Sequence, residues 1–475
     1  MSSRTLLALS SAVFSLLFAQ VAQAQPAAPP AQETPQSPPA AATSTPPVAE
    51  PRPPAGSPAP TEPAPDPFRA APAEVAPSPP STPVPATPEA PPEKPKPKSG
   101  GPFVIESDDG AHKLELHALV HADLRFFVPS TGPETIDTFL LRRVRPSIDA
   151  RLYHYFELKI QPDFAGSKFQ LLDAYGNLHF IDEVQLRVGK GKTPVGFERL
   201  KSPADITFAE RGFPTLLVPN RDVGIQIHGQ LWKGAVEYAG GIYNGVPDGG
   251  SGDQDENGEK DYAGRIFVRP FLPFGEGPLS GIGIGLAGMT GIQEGTLATY
   301  KTSGQQTFFA PADVAQADGK RAVFAPQAAY YFGPAGLMFE YVRDKQRLSD
   351  GAAGFTQLDG EAWQLAGSFV LGGSQSFQGV KVDSPLDPKQ NHWGSVELAA
   401  RYHSLRFDPR VFRTGFADPA SSARLASAYT LGLTWHFARR LRALVNYEHT
   451  TFEGGAADGN REPEGLLVSR LQVAF

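Results

Sequence analysis

Two stretches of this chain concentrate cations. Arg142 to Arg151 holds four Arg against one Asp, and Val184 to Lys233 holds eight basic residues against four acidic ones. Side chains of this kind do electrostatic rather than covalent chemistry. A ring of cations in a narrow wet passage lowers the energy of a partly dehydrated anion. The forked donors of Arg also match phosphate oxygens. The enrichment is local, because from Ser99 onward the chain carries 37 Lys and Arg against 43 Asp and Glu.

Other chemistries are poorly served. There is no Cys, which removes thiolate metal sites, disulfides and Cys nucleophiles. The ten His form no H-E-x-x-H pair, and no G-x-S-x-G elbow occurs. Gly283 to Gly288 spells G-x-G-x-x-G, but the residues from Met289 do not start a helix, so glycine within a strand is the better account. Asp253 to Gly258 opens like a calcium loop, yet Gly264 stands where the bidentate Glu belongs; a solvated acidic turn is favoured. Neither an enzyme nor a cofactor is indicated, and a net charge of −7 gives no support to nucleic-acid binding.

The elements that must position the cations are strands. From Lys113 to Phe126 one parity carries Leu114, Leu116, Ala118, Val120, Ala122, Leu124 and Phe126, while the other is charged or His apart from Leu119. Fourteen residues of period two exceed an ordinary soluble strand. The alternation recurs in Arg143–Leu152, Phe156–Gln161, Val396–His403 and Tyr429–Phe437. One parity is nearly pure hydrocarbon, and the other is dense in Arg, Asp, Glu and His of both signs. That combination predicts an all-β chain folded as a transmembrane antiparallel β-barrel with a wet interior. Closure leaves no unpaired edge, which is why a barrel can cross lipid.

The N-terminal quarter is organised differently. Arg4, the apolar run from Leu6 to about Ala19 and the small residues Ala22-Gln-Ala24 predict a cleaved export signal over 1–24. Residues 25–98 hold 27 of the 48 prolines, between Pro26 and Pro97, with Phe68 the single large apolar exception. Such a segment cannot bury enough surface to order itself and predicts a disordered, extended linker. It reads as a passive leader or as a tether touching the cell wall. Residues 99–475 then form the barrel. The chain ends on Leu471, Val473 and Phe475 in one parity, a terminal aromatic of the kind the outer-membrane assembly machinery recognises.

From about Leu114 to Phe475 the sequence resembles the phosphate-selective porin O and P family. The likeness rests on the order and spacing of many short pieces. Among them are Leu141-Arg-Arg-Val-Arg145, Asp173-Ala-Tyr175, Val188-Gly-Lys-Gly-Lys-Thr-Pro194, Gly196-Phe-Glu-Arg199, Phe208-Ala-Glu-Arg211 and Val218-Pro-Asn-Arg-Asp-Val-Gly224. The resemblance implies a sixteen-stranded, homotrimeric porin of a Gram-negative outer membrane, with a loop folded into the lumen. It places Arg142 and Arg143 at the constriction from an early strand. Arg199 and Arg211 then lie on or beside the constriction loop, Lys190 and Lys192 on the strand feeding it, and Arg221 nearby. In the competing arrangement these cations pair with Glu198, Glu210 and Asp222 as ordinary wall salt bridges. The expected function is passive diffusion of small anions such as phosphate. The alternatives are a non-selective porin or a barrel that anchors the envelope through its leader. Expected partners are the small anions, outer-membrane lipid and lipopolysaccharide, and further copies of the chain.

Overall fold

The computed structural model describes residues 103–128, 135–167, 169–245, 255, 257–275, 277–352 and 354–475. The export signal, the Pro-rich leader and most of the acidic turn around Asp253 lie outside the described residues. Sixteen antiparallel strands follow one another around a closed sheet. The first eight are β1 (Lys113–Phe127), β2 (Thr138–Leu152), β3 (Phe156–Asp163), β4 (Gln170–Ile181), β5 (Val184–Lys192), β6 (Arg221–Leu231), β7 (Val236–Tyr243) and β8 (Asp261–Val268). The rest are β9 (Ile282–Thr296), β10 (Gln316–Phe332), β11 (Ala335–Ser349), β12 (Phe355–Leu371), β13 (Ser395–Phe407), β14 (Ala423–His436), β15 (Arg442–Ala456) and β16 (Glu464–Ala474). Each strand pairs with its sequence neighbour. The ring closes where β1 meets β16, from Leu119 opposite Ala474 to Phe127 opposite Leu466.

The period-two reading accounts for this architecture. On β1, His121, Asp123 and Arg125 are buried toward the lumen. Leu116 on β1, Ile148 on β2, Ile160 on β3, Leu398 on β13 and Leu431 on β14 are exposed on the outer wall. Aromatics bracket that apolar band. Trp363, Tyr402 and Tyr429 lie toward the rim with longer loops, while Trp435 stacks edge-on with Phe437 near the other rim. A short strand, Val104–Glu106, pairs with the start of β1 and continues the line of β16. Phe103 stacks on Phe475 there, with ring centroids 4.4 Å apart. The G-x-G-x-x-G stretch lies within β9, as a strand.

Three connections matter for the lumen. Residues 193–220, between β5 and β6, bond to the far wall. Residues 297–315, between β9 and β10, bring Tyr300, Phe308 and Phe309 into a buried cluster with Phe213, Leu217, Leu405, Phe407, Phe416 and Phe452. At the other rim a hairpin, Gly373–Ser376 with Gly379–Val382, sets Phe377 against Phe267 and Tyr331. The inner positions on the second half of the barrel that meet this cluster are correspondingly small or aliphatic, including Val323, Ala325, Val342, Leu358, Ala362 and Ala426, and they are interspersed with buried polar ones such as Arg321, Glu340, Asp344 and Arg401. The inner parity of the second half is therefore mixed, apolar at the cluster and charged or polar elsewhere.

Candidate functional site

The loop over residues 193–220 is held across the lumen by a set of buried polar contacts. Glu340 on β11 accepts from the backbone N–H of Phe197 at 2.6 Å and of Glu198 at 3.3 Å. Gln364 on β12 donates to both Glu198 and Glu340, 3.0 Å each. Asn446 accepts from Ala209 N–H at 2.6 Å, and Gln472 donates to the Ala204 carbonyl at 3.0 Å. Left unpaired, each of these groups would carry a desolvation penalty. Their pairing therefore fixes the loop to β11, β12, β15 and β16 at once.

Against this frame the sequence-predicted cations separate into three kinds. Arg142 and Arg143 meet the loop through Glu210. Arg142 Nε lies 2.7 Å from Glu210 Oε1, and Arg143 Nη2 lies 3.6 Å from Oε2. Both reach the same carboxylate because the register shifts between His121 and Ala122, making Arg142 the extra residue of a bulge. Arg125 and Arg470 also contact Glu210, at 3.1 and 3.2 Å. Burial alone would raise this carboxyl, but the four guanidinium groups hold it well below its ordinary value. These two Arg are ion-paired into the knot that ties the loop to β1, β2 and β16.

Arg221 is the second kind. It makes a forked pair with Asp173 on β4, 2.9 Å from Nε to Oδ1 and 3.1 Å from Nη2 to Oδ2. Its sequence neighbour Asp222 instead accepts from the backbone N–H groups of Val223 and Gly245.

Lys192, Arg199 and Arg211 are the third kind. Lys192 Nζ donates to the carbonyls of Leu200 and Lys201 at 3.1 and 2.9 Å. Arg199 donates to Asn220 Oδ1 and to the Thr215 carbonyl, and Arg211 to the carbonyls of Glu198 and Lys201. Among the described residues, none of the three forms an ion pair with a carboxylate. Burial pushes Arg199 down to about 9, helped by Arg211 and Arg221, and pushes Arg211 down to about 10. Both remain cationic at neutral pH. Lys190, two residues before Lys192 on β5, is buried.

Below the loop a cavity of about 700 Å³ opens along β1 to β8. Seven Lys and Arg line it (Arg145, Lys159, Arg187, Lys192, Arg221, Arg265 and Arg440) against Asp149, Asp173 and Glu237. The lining is therefore cationic although the chain is acidic in total. Five of these cations were not singled out from the sequence as candidates: Arg145, paired with Asp163 at 2.7 Å, Lys159, Arg187, Arg265 and Arg440. Arg187 stacks over the Tyr175 ring at 4.4 Å and forms no ion pair among the described residues. Its place on the polar parity of β5 was the available signal.

Comparison with known proteins gives a consistent picture. A family model described as phosphate-selective porin O and P matches residues 114–475. Among curated proteins, no relative matches. Of the solved structures, the outer membrane channel DcaP of Acinetobacter baumannii aligns over 78% of this chain and 99% of its own, with 11% identity and a TM-score of 0.51. A loop L8 deletion mutant of OmpT, an outer membrane protein of Vibrio cholerae, aligns over 77% of this chain and 100% of its own, with 13% identity and a TM-score of 0.50. At these identities the likeness concerns the barrel fold.

Proposed function

This chain belongs to the phosphate-selective porin O and P family and is a porin of a Gram-negative outer membrane; we propose that it conducts small anions, phosphate-type oxyanions among them. The single observation that carries this reading is the group Lys192, Arg199 and Arg211. Their cationic heads meet only neutral oxygens and therefore keep their field for a solute. Beside them Arg221 is held by Asp173 at the top of the cationic cavity. An anion leaving bulk water would exchange part of its hydration for these donors. The residues act by fixed charge, with no bond made or broken. The assembly we propose is a homotrimer.

The envelope-anchoring alternative has one observation on its side. The chain enters the barrel at Phe103, against Phe475, on the rim of short turns, which in such barrels faces the periplasm. Channel recordings discriminate. In a potassium chloride gradient the reversal potential of the wild-type protein has the sign of an anion-selective pore, and added phosphate reduces chloride current. Arg199→Ala with Arg211→Ala lowers the anion-to-cation permeability ratio by roughly fivefold, as expected for about 1 kcal/mol of Coulomb energy at contact distance in water. A cation-selective wild type, or an unchanged ratio in the double variant, removes the proposal.

A further inference from the structure

The outer wall carries a charged feature that conduction does not use. On β11, Leu337 and Phe339 face lipid and Tyr341 pairs with Trp363 of β12 in the aromatic belt. The next three outward positions toward the long-loop rim are Arg343, Lys345 and Arg347. Across the register Arg343 faces Glu361, which faces Arg406 of β13. Lys345 faces Asp359, and Arg347 lies 4.4 Å over the Phe355 ring. Four cations and two carboxylates thus cover three adjacent strands immediately above the aromatic belt.

The carboxylates do not neutralise the arc. Arg343 takes Asp359 through a forked contact, 3.0 and 2.8 Å. Glu361 holds Arg406 by one oxygen, with Nε at 3.0 Å, while the Arg406 side chain stays 64% exposed. Lys345 approaches Asp359 only to 3.9 Å, and Arg347 has no ion pair among the described residues. The wall on the opposite side is different at the same rim. There β2 presents Phe139 and Leu141, with Phe164 and Phe169 exposed nearby. A uniform cationic collar would reflect solubility alone, whereas a cationic arc on one sector points to a ligand.

We propose that the outward rim of β11, β12 and β13 binds the phosphorylated headgroup of an outer-leaflet lipid. The inference rests on the outer-membrane placement above and is independent of which solute the pore passes. The occupant follows from position and charge. Anything held by Arg343, Lys345, Arg347 and Arg406 has acyl-chain territory directly below it, at Leu337, Phe339 and Leu365. Anionic phosphate within a Debye length of these side chains is attracted by all four. Arg supplies forked donors for phosphate oxygens, and the Tyr341–Trp363 pair sits where amphipathic rings meet headgroups. A free phosphate ion would gain the charge contact but not the hydrocarbon contact.

The test uses the full chain purified in detergent micelles, with three probes: bisphosphorylated lipid A, its dephosphorylated counterpart and inorganic phosphate. Native mass spectrometry reads lipid retention. The wild type retains the phosphorylated lipid over the dephosphorylated one, and millimolar inorganic phosphate does not displace it. The triple variant Lys345→Gln, Arg347→Gln, Arg406→Gln binds the phosphorylated lipid roughly a hundredfold more weakly, the loss expected for three basic residues at an anionic surface. Its reversal potential stays that of the wild type, which separates this proposal from the channel reading. Equal retention of both lipids by the wild type, displacement by inorganic phosphate, or full affinity in a folded triple variant each overturns it. The ranking of the probes on the wild type decides the matter even where the variant fails to fold.

Discussion

The two halves of the lumen solve the same geometric problem in opposite ways. Along β1 to β8 the inner wall stays wet, with Arg145, Arg187, Lys192 and Arg221 around a cavity. Along the second half the space is filled by side chains from the 193–220 and 297–315 connections. Phe309 stacks on Phe407 with centroids 3.9 Å apart, and Phe213, Leu217, Phe308 and Phe452 pack around them. A sixteen-stranded ring is wider than one small solute requires. Filling one side with hydrocarbon presses the passage against the cationic wall. If the proposed anion selectivity holds, selectivity and bore would be set by different residues, and each could be altered alone.

The largest effect should come from breaking the filled half. Phe309→Ala removes a fully buried ring, and large aromatic truncations of this kind cost about 3–5 kcal/mol. Denaturant titration of the refolded barrel should show that loss. Single-channel conductance should rise as the 297–315 segment loosens, while the reversal potential holds because no charge has moved. A changed reversal potential at unchanged conductance would mean that the filled half takes part in selectivity.

A somewhat smaller effect sharpens the contrast between what the two faces of the wall touch. Leu398 on β13 is outward and about half exposed to lipid. Leu398→Arg should lower stability by about 2–4 kcal/mol at the bilayer midplane. Gln185→Arg on β5, whose side chain lines the wet cavity, should be close to neutral in the same refolding assay. Equal costs at the two positions would contradict the assignment of lipid and water to the two faces.

How much of this was legible in the sequence depends on the range of the interaction. Strand existence and facing were legible because period two is a local property: β1 was read to within one residue, and the last strand ends at Ala474 beside the terminal Phe475. The loop position of Arg199 and Arg211, and the strand position of Lys190 and Lys192, followed from the family resemblance. Charge pairing was legible only in part: Glu210, named as a partner in the competing arrangement, does take Arg142 and Arg143, whereas Asp222 does not take Arg221. Arg221 passes over the adjacent Asp222 and takes Asp173 across the sheet. Arg142 turns to Glu210 through a bulge that alternation cannot register. The filled half was also hidden, since Phe308 and Phe309 lie on a short strand inside a loop, with no periodicity to show that they enter the lumen.

The smallest effect is expected where charge is plentiful but distant. Arg410 and Arg413 sit on a four-residue helix in the connection after β13, toward the long-loop rim. Arg410 is already taken by Asp408, with Nε 3.0 Å from Oδ1. At physiological salt the Debye length is about 8 Å, so charges on an exposed rim are screened from an ion at the constriction. The chain-wide acidic balance is screened in the same way, which is why the nearest cations, Lys192, Arg199 and Arg211, should govern the sign of selectivity. Arg410→Ala with Arg413→Ala should therefore leave the reversal potential unchanged at that salt, in contrast to the Arg199 and Arg211 pair. Dilution to about 0.01 M stretches the Debye length to about 30 Å, and the rim variant should then begin to lose anion preference. A rim effect equal at both salt concentrations would show that total charge, not the local cluster, sets the field along the passage.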